Sequence, residues 1–555
     1  VVPIHHPEAR WKDPQRILEI VGRALMFTNA KNVAHNGKFD DRWLHRFGVP
    51  HYCDFDTMLA AALLDENRYK GLKVLAPMLL GVDPWAIDMG GGAAMTEPLK
   101  KLARYGGKDA DYTLRLYYIF REQLLSKNER RAVRIFKYIT MPTSAMLTDV
   151  EGLGIWLDMD RLNERRIEVR KNISRSHKKL TKMVGYEANW NSTQQLARIL
   201  FTEMKIPLVE VTAKGNPSTK ESVLLKLRHE YPLAKEILEY RKWFKYDSTY
   251  FASWVEKMHD GRMHANYKIA GTVTGRMSSG KEEGDRGRGL NAQQIPRDPF
   301  LRSVIGAPPG WRMVEADFSQ VELRLVAHYA QDPTMMRVYR EGGDIHMTTA
   351  MQLTNKPSSA VTKEERKKAK GVNFGFVFGM GWKHFIDFVL DNYDLVVTPE
   401  EARLWRTRFF QTYDALPAWH DRQRRLVHRF HKVSSVIGRT RHLPDILSAD
   451  EDVRAEAERQ AINSPVQGLA SDLLLTGLNA VHRLADPEEL RVVATVHDSG
   501  LFEVREDVVD KWVPIIRSTM EEIPIKKLFG AELTVPLVVD ITVGQHFGEG
   551  VVVAA

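Results

Sequence analysis

The chain has 555 residues, 43% of them hydrophobic, which is too long for one core, so several domains are expected. Its 80 Lys and Arg exceed its 71 Asp and Glu, giving a formal charge of +9 that permits a polyanionic partner, and its single cysteine, Cys53, excludes an intrachain disulfide or a cysteine-rich zinc site. Cys53 reads as a buried thiol in a reducing compartment. No apolar run approaches the roughly 18 residues of a membrane span, and the start VVPIHHPEARW lacks a signal-peptide pattern, so no membrane contact and a cytoplasmic location are expected. VVPI also reads as the middle of a strand, which suggests further residues before Val1.

Residues 1–125 alternate short apolar stretches with amphipathic ones (PQRILEIVGRALM, KNVAHN, TMLAAALLD, LKVLAPMLLG), predicting an α/β domain with a Gly-rich loop, MGGGAAM, at 89–95. Residues 126–262 read as helical and basic. Their run RLNERRIEVRKNISRSHKKLTKMVG carries nine Lys or Arg, a pattern that is more often a solvated face than a binding surface. From 263 onward strand-like pieces (RMHANYKIAGTVTG, WRMVEADFS, RVVATVHDSGLFEV) alternate with long helical ones, so a mixed sheet decorated with helices is expected.

WRMVEADFSQVELR reads as an apolar strand that delivers Asp317 at its end and turns into a helix. RVVATVHDSGLFEV has turn residues, His497 to Gly500, between two β-rich arms, which makes Asp498 the tip of a hairpin. Two rigidly held carboxylates facing each other, with water and phosphate oxygens, suit two Mg²⁺ ions about 3.5 to 4 Å apart, the geometry of phosphoryl transfer. Aspartates at strand ends and hairpin tips are also common turn formers, so neither one alone is informative. Between them, in KEERKKAKGVNFGFVFG, Arg366, Lys370 and Phe374 recur at i, i+4 and i+8 and share a helical face that is cationic and then aromatic. Such a face can hold a triphosphate and stack on a base, although an isolated pattern of this kind is more often an ordinary basic helix.

These segments resemble motifs A (DFSQVELR), B (RKKAKGVNFGFVFG) and C (VHDS) of family A DNA polymerases, the DNA polymerase I type. TGRMSS, GGDIHMTTA and AINSPVQGLASD match further family segments, and NWNSTQQLARILF, NPSTKESVL and EYRKWFKYDSTY are similar to its thumb. The resemblance implies a multidomain α/β chain: a ribonuclease H-like 3′–5′ exonuclease-like domain at 1–125, incomplete at its N-terminus, then a right-hand polymerase. Its thumb would occupy 126–262, its palm 263–330 and 470–555, and its fingers 331–469. It further implies Asp317 and Asp498 as catalytic ligands of two Mg²⁺ ions, for which Mn²⁺ can substitute. Arg366, Lys370, His346, Phe374, Phe378 and Gln320 would bind the incoming dNTP. Glu322 matches the steric gate that fills the space of a ribose 2′-hydroxyl. Arg276, Arg459, Asn463, Gln467 and His497 match residues that touch primer-template DNA. A processivity or replisome factor is a possible further partner, and a monomer in a bacterial or phage-infected cell is expected.

Three departures stand out. Motif B carries Phe378 where the family has a tyrosine whose hydroxyl supports the gate, which predicts weaker rejection of ribonucleotides. Motif C usually reads HDE, but here Ser499 replaces the final carboxylate. SGKEEGDRGRG at 279–289 reads as a charged, mobile insert. In the N-terminal region, Asn36 and Asp40 of HNGKFDD resemble the second exonuclease motif and Tyr105 and Asp109 of YGGKDADYT the third. The first, a paired Asp and Glu, is not among these residues, so little or no 3′ to 5′ hydrolysis is expected, from truncation or because the domain is structural. The alternatives are a single-subunit RNA polymerase relative, which generally lacks the Glu322 gate, a non-catalytic primer-template-binding protein, and a protein that is chiefly a nuclease.

Overall fold

In the computed structural model, which describes residues 1–4, 6–27, 29–85, 96–280 and 289–553, one aspartate organises the N-terminal region. Asp56 closes the strand Phe55–Asp56, which pairs in parallel with Val33–Ala34. Its carboxylate accepts from the amides of Met58 (2.8 Å) and Leu59 (3.2 Å), capping helix Thr57–Leu64, and from those of Asn36 (3.1 Å) and Gly37 (2.8 Å), where helix Gly37–Arg46 begins. A carboxylate at two helix N-termini satisfies amides that would otherwise be orphaned. The expected α/β character is thin here, because this parallel pair is the only strand pairing described for residues 1–125 and the rest of the described structure is helical or irregular. Val1–Pro3 form no strand, Cys53 is buried as expected, and the Gly-rich loop at 89–95 lies outside the described residues.

The basic run becomes helix Met159–Val184, capped by Asp158 and packed on helix Pro232–Lys245. It buries only Leu162, Val169, Ser176 and Leu180, which leaves Arg170, Lys171, Arg175, Lys178, Lys179 and Lys182 exposed. A small core of its own, including Trp190, Leu224, Ile237 and Tyr240, stiffens its far end.

Instead of the expected mixed sheet, the C-terminal half is built on a five-stranded sheet whose pairings are all antiparallel. The order across it is Leu490–Val496, Ser499–Arg505, Trp311–Phe318, Val539–Gly544, Val551–Val553. A tight hairpin makes its own two arms antiparallel, and Trp311–Phe318 meets two strands distant in sequence, each in the opposite direction. RMHANYKIAGTVTG is also less of a strand than expected, yielding only the two-residue pieces Arg262–Met263 and Tyr267–Lys268 outside this sheet. Helix Glu451–Leu484, 34 residues long, packs on the sheet, with Asp450 as its cap and His482 and Arg483 in its last turn, both favoured by the helix dipole. It runs unbroken through 469 and 470, so the expected boundary between fingers and palm cuts a continuous element.

Candidate active site

Along Trp311–Phe318, Ala316 and Phe318 turn into the core while Glu315 and Asp317 alternate to the opposite, half-open face. Asp317 lies directly between Ser499 and Asp540 on the neighbouring strands. The pair Val496 and Ser499 closes a two-residue turn, so the tip is His497–Asp498, tighter than the four-residue turn expected. His497 takes the left-handed φ of 55°, and its amide donates to Gln293 Oε1 at 3.0 Å. Gln293 Nε2 in turn donates to the Thr495 carbonyl at 2.9 Å, and the Tyr267 hydroxyl donates to the same carbonyl at 3.0 Å and accepts from the Thr495 amide at 3.1 Å. The hairpin tip is thus held from two sides.

Asp317 is pushed up to about 7, by burial first, then by the charges of Asp498 and Glu315. Like charges converging where water is scarce make a place that favours a cation, and hard carboxylate oxygens suit Mg²⁺. The residues present therefore fit a divalent metal.

Beside Asp498 lies a cavity of about 310 Å³ whose lining includes Arg276, Gln293, Arg297, Glu322, His497 and Asp498. Glu322, in the first turn of helix Val321–Ala330, has its pKa raised by burial although Arg276 pulls the other way through a direct hydrogen bond. Arg276 and Arg297 each approach Asp498 at 3.9 Å. Gln320 stands just before that helix with φ 53°, and its Oε1 accepts from the Tyr339 hydroxyl at 3.3 Å.

Helix Lys363–Phe376 begins with a capping box, Thr362 with Glu365, and carries Arg366, Lys370 and Phe374 on one face as expected. None of the three lines the cavity beside Asp498. Arg366 is held by Asp344 at 2.6 Å, and Lys370 is exposed. His346 is only 3% exposed, packs near the Phe374 ring (5.9 Å), and has Nδ1 2.8 Å from Asn373 Nδ2. Burial lowers its pKa to about 4, so its ring is neutral. Phe378 lies past the end of the helix and is half-buried. On helix Glu451–Leu484, Arg459, Asn463 and Gln467 share a face that leads to the cavity-lining Ser471. Arg459 bonds Glu456 at 2.8 Å, and the buried Asn463 side-chain oxygen has no hydrogen-bond partner among the described residues. The insert at 281–288 lies outside the described residues.

Sequence reading overlooked Gln293, Arg297, Tyr267 and Glu315. Gln293 and Arg297 belong to LNAQQIPR, next to a recognised motif, and that adjacency was the available signal. Tyr267 and Glu315 become neighbours of the site only through folding.

In the N-terminal region the recognised residues do not form a carboxylate pair. Asp109 is ion-paired with Lys73 and accepts from Trp85 Nε1 at 2.6 Å. The Lys73 ammonium also sits 4.0 Å from the Tyr105 ring centre. Asp40 is pushed up to about 6, by burial, then by Asp41 and Asp56. Asn36 takes a left-handed φ of 65° and lines a cavity of about 590 Å³ between this region and residues 266–271.

Residues 159–549 match the family model of DNA polymerase family A, and residues 1–125 match that of a 3′-5′ exonuclease. A thermostable DNA polymerase I of Thermus aquaticus is 31% identical over 523 residues, covering 91% of this chain and 60% of that protein. DNA polymerase I of Pseudomonas aeruginosa is 32% identical over 556 residues, covering 97% and 58%. The chain thus spans somewhat over half the length of these relatives. The solved POL domain of Pol1 from M. smegmatis, in complex with DNA primer-template and dNTP, has a TM-score of 0.82 at 24% identity, covering 96% of this chain and 88% of that one. Fold and site together define a multidomain α/β chain with an exonuclease-type domain ahead of a polymerase fold. The chain belongs to DNA polymerase family A.

Proposed function

We propose that the chain extends a primer 3′-hydroxyl with dNMPs copied from a DNA template. The observation that carries this reading is the convergence of Asp317 and Asp498 at one end of the sheet's central strands, with the Arg276–Glu322 pair beside them. Asp317 and Asp498 would hold two Mg²⁺ ions, which when bound polarise the primer hydroxyl and neutralise the departing pyrophosphate. Arg366 and Lys370 approach the triphosphate from the fingers, Arg366 exchanging Asp344 for phosphate oxygens of the same charge. Phe374 stacks on the incoming nucleotide, backed by the neutral ring of His346, while Gln320 and Phe378 border it. Glu322, fixed by Arg276, excludes a 2′-hydroxyl. Arg459, Asn463 and Gln467 follow the minor groove, where acceptors lie alike in every base pair, and His497 meets the primer terminus. The exposed cations of helix Met159–Val184 grip duplex phosphates.

Partners are therefore primer-template DNA and dNTPs, with a replisome factor as a further one, and the chain acts as a cytoplasmic monomer. Among the described residues no helix is long and apolar enough to cross a membrane. The N-terminal domain serves as a brace, since Lys73 occupies Asp109. The test is extension of a 5′-labelled primer on a longer template with Mg²⁺. Elongation with dNTPs that disappears in Asp498→Ala supports the reading, whereas tight primer-template binding without elongation overturns it. Shortening of the primer without nucleotide contradicts the proposed loss of proofreading.

A further inference from the structure

Ser499 leaves motif C without its last carboxylate, yet the sheet offers a carboxylate from the adjacent strand. Ser499 is buried, 4% exposed, and stands opposite Asp317 in register. Side chains directly opposite on antiparallel strands share a face, about 4.5–5.5 Å apart at Cβ. Two residues before Asp317, Glu315 faces the same way, and its carboxylate is within hydrogen-bonding reach of Ser499 and Thr542. The single Ser499 hydroxyl proton is also claimed by the Val496 carbonyl at 3.0 Å, so it does not satisfy Glu315 alone. Among the described residues the cation paired with Glu315, Arg302, stands at 3.8 Å and is also held by the Pro296 carbonyl at 2.8 Å and the Phe547 ring at 4.0 Å. Glu315, half-buried beside Asp317, is thus held by one long ion pair and by shared hydroxyls rather than by a close, forked cation.

We propose that Glu315 is the third carboxylate of the metal site, supplying from Asp317's own strand the negative charge that Ser499 does not. Resting on the polymerase reading above, this makes Glu315 a positioning residue that steadies the hydration shell of ions held by Asp317 and Asp498. The small serine follows from the same geometry: a glutamate at 499 would crowd Glu315.

The test uses the full chain with a dideoxy-terminated primer-template and the complementary dNTP, and follows Mn²⁺ uptake through the electron paramagnetic resonance signal of the free ion. Glu315→Gln is expected to weaken Mn²⁺ binding about tenfold and to raise the half-saturating Mg²⁺ for incorporation on an extendable primer by a similar factor. The double exchange E315S/S499E is expected to recover most of the affinity lost in E315S. An unchanged Mn²⁺ isotherm in a folded Glu315→Gln protein, or an exchange no tighter than E315S alone, overturns the inference. Absence of Mn²⁺ uptake by the wild-type ternary complex sinks the polymerase reading itself, and the inference with it.

Discussion

Glu322 and Arg276 illustrate how much of the site depends on single contacts. For the gate proposed at Glu322, Arg276 bonds the carboxylate directly, a support that does not depend on a hydroxyl at Phe378. Arg276→Lys, which keeps the charge but loses the fork, is expected to lower the ratio of kcat/KM for dNTP over rNTP by about three- to thirtyfold. An unchanged ratio would mean that burial alone holds Glu322. Phe378→Tyr is expected to raise the same ratio, by less than the arginine change lowers it. At this scale the sequence was most informative where chemistry is local. Asp317 ends an apolar run and Asp498 sits between β-rich arms, so both could be read from their neighbours. Glu315 has no such local signal, and only the register, which sets Asp317 opposite Ser499 and Glu315 opposite Leu501 and Thr542, gives it a meaning.

At the scale of helices and strands, two features are open to test: the response of a buried histidine to acid and a pair of long-range ion pairs. His420 is buried against the Val377 carbonyl (2.9 Å), and burial lowers its pKa to about 4, against 6.5 in its ordinary state. A folded pKa below the unfolded one means that the unfolded chain binds the extra proton, so this contribution is fully present above about pH 6.5 and is lost as pH falls toward 4. His346 acts in the same sense. Thermal melts of His420→Gln should therefore lose less stability than wild type between pH 6.5 and 4, by about 1–3 kcal/mol at the acid end. Parallel curves would show that His420 does not titrate in this way. Lys226, in the proposed thumb, pairs with Asp387, in the proposed fingers, at 2.7 Å, and Arg228 pairs with Asp394. Exposed pairs of this kind contribute about 0.2–1 kcal/mol each and are screened by salt. Fluorescence energy transfer between dyes on the two regions should report a wider separation in D387N/D394N, and an unchanged distance would count against the contact in solution. The helical face of Arg366, Lys370 and Phe374 was legible from its periodicity, whereas the caps Thr362 and Asp450 emerged only from the structure. The all-antiparallel sheet was not, because it depends on which distant strands meet.

Over the whole molecule, the N-terminal region is joined to residues 266–267 of the polymerase region through Glu151. That carboxylate is 1% exposed, pairs with Lys38, lies 3.1 Å from Arg42, and accepts from the Tyr267 amide at 2.6 Å. Glu151→Ala removes a buried acceptor that Lys38, Arg42 and the Tyr267 amide share, and is expected to destabilise the protein by about 1–3 kcal/mol. Denaturant unfolding with no shift of midpoint would contradict the bracing role. Because Tyr267 also holds Thr495 behind Asp498, the brace and the proposed catalytic hairpin share a residue. Domain order was readable from composition and motif sequence, whereas this joint lies between residues more than a hundred positions apart and leaves no local trace.

Single-turnover incorporation of one complementary dNMP by wild type, Asp317→Asn and Asp498→Asn, with primer-template affinity measured in parallel, tests the central claim most directly. Both variants are predicted to lose about a thousandfold or more in rate while binding DNA within about threefold of wild type. Either variant incorporating within about tenfold of wild type would contradict the two-aspartate site.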